Sequence, residues 1–112
     1  MHPLERTKAL LDQAMDSHSA QQTLLHVLEA TLELVSLPGN DFSWSSWRDA
    51  AHAQTELEGQ IALLQTGALP NRQQLLVLFA ATGPLQELAM ASGWAEVYLQ
   101  LAAVFDAVER RM

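Results

Sequence analysis

The chain has 112 residues, 13 of them acidic and 6 basic, for a formal net charge of −7. That length suits one hydrophobic core and is too short for two, so residues 1–112 are expected to form a single domain. One lysine, Lys8, and five scattered arginines cannot build the broad basic face that displaces counterions from phosphate, which excludes nucleic acid and anionic membrane surfaces as partners.

The first predicted helix covers residues 3–15. Pro3 suits a first turn, where its missing N–H is an orphan anyway, and Leu4, Thr7, Leu11, Ala14 and Met15 give a narrow apolar seam. Asp16-Ser17-His18-Ser19 breaks the pattern, and either serine can cap the next helix. The second helix is expected over 20–37. Leu24, Leu25, Leu28, Leu32 and Val35 form its main face, and Val27, Leu34 and Leu37 widen it into a second apolar flank. Gln22, His26, Glu29 and Glu33 draw the polar stripe. Pro38-Gly39-Asn40-Asp41 stops the helix and turns the chain.

Phe42-Ser43-Trp44-Ser45-Ser46-Trp47 comes next, and the third helix is expected from Ser45 or Ser46 to Gln65, closed by Gly67. Its apolar line is Trp47, Ala50, Ala53, Leu57, Ile61 and Leu64. Gly59 sits in mid-helix at a cost of about 1 kcal/mol relative to alanine, which a close helix crossing would explain. With Asn71 as cap, a fourth helix spans 72–81. It is apolar almost all round at Leu75, Leu76, Val77, Leu78 and Phe79, the pattern of a helix enclosed by others. Gly83 as cap and Pro84 in the first position start a fifth helix that ends at Gly93.

The sixth runs 94–111. Trp94, Val97, Tyr98, Leu101, Val104, Phe105 and Val108 recur at steps of three and four, so all seven share one face. With a single isoleucine and few β-branched residues, the chain offers little for a sheet. The fold class is therefore all-α: a compact bundle of five to six helices, four main ones plus a short or kinked pair around Gly83-Pro84.

Three groups of residues are candidates for function. Phe42, Trp44 and Trp47 form an aromatic segment kept wettable by serines. It is either a partner-binding surface, since aromatic residues concentrate interface energy, or a lid closing the end of the bundle. Phe79, Met90 and Tyr98 could line an apolar ligand pocket. Two trios at i, i+3, i+7 carry metal-binding chemistry: His26, Glu29 and Glu33, then Asp49, His52 and Glu56. Both trios lie opposite the leucine faces and are expected to face solvent.

There are no cysteines, which rules out a disulfide framework or thiol nucleophile and fits a reducing compartment. The N-terminus lacks the apolar run of a signal peptide. The longest uncharged stretch, 73–86, is interrupted by Gly83-Pro84 and falls short of the roughly 20 residues a bilayer span needs. Cytoplasmic localisation is the expectation. Arginine outnumbers lysine five to one, and with abundant Ala and Leu this points to a GC-rich bacterial genome.

No nucleotide-binding glycine loop, His-Glu-x-x-His motif or convincing catalytic triad is present, so no cofactor and no enzymatic activity are expected. The best-supported function is a small acidic protein-interaction module of the adaptor, chaperone or immunity type. Its partner is another protein or a second copy, with a homodimer as the expected state because symmetric pairing hides surplus apolar surface. A small-molecule-binding bundle is the alternative, and a metal-dependent enzyme ranks below it.

Overall fold

Eight of the sixteen residues of the first helix, α1 (Ala20–Val35), are buried: Thr23, Leu24, Val27, Leu28, Ala30, Thr31, Leu34 and Val35. The computed structural model describes residues 20–43, 45–68, 70–80 and 83–111, with the side chain of Arg111 outside that description. The predicted helix over residues 3–15 lies outside the described residues.

So wide a buried surface requires neighbours on two sides, and α1 has them: α2 (Ala50–Gln65) packs along it and α5 (Ala95–Arg111) packs on it separately. This corrects the reading of Val27 and Leu34 as a spare flank. Both are fully buried, while Leu25 and Leu32 are only partly so. Thr31 is tolerated in the core because its hydroxyl donates to the Val27 carbonyl at 2.7 Å.

α2 begins later than the serine-rich segment suggests. Ser45 does not cap it. Its hydroxyl donates to the Pro84 carbonyl at 3.3 Å and accepts from the Trp47 N–H at 3.2 Å. Asp49 caps instead, accepting from the His52 N–H at 2.9 Å with its backbone extended. The helix closes in a Schellman pair, Gly67 N–H to the Leu64 carbonyl and Ala68 N–H to the Leu63 carbonyl, both 3.0 Å. That pairing needs the left-handed backbone of Gly67, at φ +87°. Gly59 meets no close crossing. It is exposed, and a Cβ built on it has nothing within 4 Å.

α3 (Arg72–Leu78), α4 (Pro84–Ser92) and α5 complete the five helices of the described residues. Asn71 caps α3 as expected, accepting from the Gln74 N–H at 3.2 Å. The helix is not enclosed, however. Within it only Leu75 and Leu78 are buried, while Leu76 and Val77 face solvent at 38% and 53% exposure. Two turns of helix can turn only one line of side chains inward, and here that line is i, i+3.

Gly83 and Pro84 start α4 as the sequence indicates, and Gly93 ends it. Gly83 is needed for space. A Cβ there would stand 2.4 Å from the Val77 carbonyl oxygen, 3.1 Å from that of Ala80 and 3.2 Å from that of Leu78. The end of α3 therefore rests directly on the first residue of the α4 corner. α4 packs on α5, which starts one residue later than expected, and the stripe from Trp94 to Val108 is buried throughout. Phe79 stacks on Phe105 with ring centroids 4.2 Å apart, and Arg72 pairs with Glu109, so both ends of α3 are tied to α5. The Cα radius of gyration is 12.9 Å, near the roughly 13 Å of a compact chain this long.

The connection between α1 and α2, residues 36–49, is fastened to the far half of the chain. Asn40 donates its amide to the Leu34 carbonyl at 2.8 Å and accepts from the Trp94 indole N–H at 2.9 Å. The Asp41 N–H donates to the Ser92 hydroxyl at 2.9 Å. The loop is thus laid across the α4–α5 hairpin.

Candidate functional site

Of the aromatic segment, Phe42 and Trp47 fold inward. Trp47 is 2% exposed within the core, and its indole N–H donates to the Glu56 carboxylate at 2.7 Å. Phe42 is half-buried against the same core, and Trp44 lies outside the described residues. Trp47 is therefore a core residue, its ring buried in the same core as Ala53 and Leu57 on the apolar line of α2. That line, which already includes Trp47 in the sequence, is the signal for its burial.

The second acid–histidine trio is spent on the start of α2. Asp49 is the N-cap, the His52 Nδ1 accepts from the Arg48 N–H at 3.2 Å, and Glu56 holds the Trp47 indole. The first trio is less solvated than its stripe suggests. His26, Glu29 and Glu33 are each partly buried on α1, and the His26 Nδ1 is buried without a hydrogen-bond partner. The structure does not join the trios into a ligand set. Among the described residues no three His, Asp or Glu side chains are gathered so as to hold a metal ion.

Phe79, Met90 and Tyr98 do not converge either. Phe79 and Tyr98 meet in the core, where the tyrosine hydroxyl donates to the Phe79 carbonyl at 3.2 Å. Burial raises the Tyr98 phenol above its ordinary value, and the nearby Asp106 charge adds to the effect. Met90 points the other way, 66% exposed on the outer side of α4.

Met90 there lines an open groove of about 510 Å³ with Asp41, Glu87 and Ala91. Glu87 and Met90 are one turn apart on α4 and share a face. Asp41 arrives from the α1–α2 loop, held above the last turn of α4 by its bond to Ser92. Hydrogen bonds from the Ser43 hydroxyl and backbone N–H hold the Asp41 carboxyl below the usual range, so it is ionised at neutral pH. Asp41, Glu87 and Ala91 are site residues that the sequence does not single out. Asp41 reads there as a turn residue, and no spacing rule links it to a helix in the other half of the chain.

No helix among the described residues is long and apolar enough to cross a membrane. Comparison with protein-family models, with curated proteins and with solved structures gives no match for this chain.

Proposed function

We propose that this chain is a small acidic protein-interaction module, of the adaptor, chaperone or immunity type, without catalytic chemistry and working in the cytoplasm. The observation that carries the reading is Met90: a large, flexible thioether left mostly in solvent on the wall of a groove that carboxylates border. The use of Asp49, His52 and Glu56 in local hydrogen bonds supports a chain whose polar side chains serve the scaffold rather than a reaction.

A second copy is the alternative occupant, supported by further exposed apolar side chains, Leu76 and Val77 on α3. Light scattering on the purified chain, combined with affinity capture from its native cell, separates the two. A stoichiometric partner captured by the wild type and lost from Met90→Glu is the expected result. A stable homodimer of twice 12.4 kDa that captures nothing would assign the surface to self-association instead.

A further inference from the structure

The groove on the outer side of α4 has a defined chemistry. Among the described residues it is lined by Asp41, Glu87, Met90 and Ala91, all of them exposed. Two of these are carboxylates and two are apolar, and the described lining holds no cation. A thioether and a methyl group make an apolar floor, and the carboxylates add a negative edge.

Arginine and lysine carry the complementary pair of properties, an apolar stem that lies on hydrocarbon and a cationic head that seeks carboxylate. The volume of about 510 Å³ suits a few side chains rather than an enclosed small molecule, since the groove is open to solvent. The chain as a whole carries −7, which attracts a cationic partner and repels another copy of itself.

We propose that this groove docks a cationic segment of another protein, its Arg or Lys heads meeting Asp41 and Glu87 while its apolar neighbours cover Met90 and Ala91. The inference rests on the interaction-module reading and specifies the partner's chemistry. Asp41 is presented by a loop whose backbone is fastened to Ser92 and whose preceding residue is fastened to Trp94, so one carboxylate is set in place before a partner arrives. Attraction of this kind weakens as salt rises.

The test is selection of an unbiased random-peptide library on the intact chain. Selected peptides are then titrated against wild type, Glu87→Lys and Met90→Ala, with the Met90 methyl resonance of the first two followed by NMR. Both substitutions are at exposed positions, and circular dichroism checks that each variant is folded. The expected result is peptides enriched in Arg or Lys beside apolar residues. They shift the Met90 methyl, bind Glu87→Lys at least tenfold more weakly, and lose affinity between low and high salt. Peptides that bind but leave Met90 unmoved, or that bind Glu87→Lys equally well, overturn the groove assignment while leaving the interaction module standing. A library that yields no binder overturns both. The methyl readout on wild type decides the matter even if a variant fails to fold.

Discussion

The Asn40 side chain accepts a hydrogen bond from the indole of Trp94, 54 residues further along the chain, while its own amide closes the end of α1 on the Leu34 carbonyl. One side chain thus satisfies two groups that the packing takes from water. Asn40→Ala should lower stability by about 1–3 kcal/mol, because it leaves a partly buried donor and an acceptor without partners. Urea denaturation followed by circular dichroism measures the loss. Helical content at zero denaturant should be unchanged.

Two glycines should respond to alanine with opposite sign. Gly59→Ala fills open space on an exposed helix face and should stabilise the protein by about 0.5–1 kcal/mol. Gly83→Ala forces a methyl group onto the Val77 carbonyl and should destabilise by about 1–3 kcal/mol. A melting-temperature shift of the same direction in both variants would contradict the packing described for the α3–α4 corner.

Trp47 and Glu56 form a second testable pair. Trp47→Ala removes a buried indole and should cost about 3–5 kcal/mol. Glu56→Ala leaves the indole N–H unpaired and should cost about 1–2 kcal/mol, less because the carboxylate side is exposed. A double-mutant cycle should show the two losses to be non-additive. Neither substitution should change the molecular mass in light scattering, which a partner-binding Trp47 would do.

Tyr98 sets an alkaline limit. Its folded-state phenol titrates above the ordinary value of about 10, so the folded chain holds the proton more tightly than the unfolded one. The corresponding stability is fully present below that ordinary value and is lost as pH rises through the folded-state value. Denaturation midpoints should therefore be flat in this respect to about pH 10 and fall beyond it. In Tyr98→Phe the fall should be shallower, with a small constant loss from the bond to the Phe79 carbonyl.

Where one helix's own pattern decides the structure, the sequence was legible. The stripe from Trp94 to Val108 predicts both the helix and its buried face, because a 3.6-residue period is a property of neighbouring residues alone. Gly83, Pro84 and Gly93 mark α4 through backbone chemistry that is equally local. What was not legible depends on the surroundings. Leu76 and Val77 look the same as Leu75 and Leu78 in the sequence, and only the side on which the core lies separates them. Val27 and Leu34 look surplus until α1 is seen between two partners. Ser45 and Asp49 both qualify as caps; the Ser45 oxygen accepts from the Trp47 N–H ahead of the helix, and Asp49 takes the His52 N–H of its first turn. The groove was the least legible feature, since Asp41 joins Glu87 and Met90 only through tertiary structure.

The loop 36–49 also makes the groove depend on both halves of the chain. Besides its bonds to α1 and α2, it is tied to Pro84, Ser92 and Trp94, so its full set of bonds requires the α4–α5 hairpin in place. Asp41 keeps its station only while Ser92 keeps its own, so a chain whose α4–α5 corner is frayed loses the placement of that carboxylate. A partner that reads this groove therefore discriminates finished molecules from unfinished ones, and its occupancy would protect the whole bundle from unfolding in proportion to its concentration.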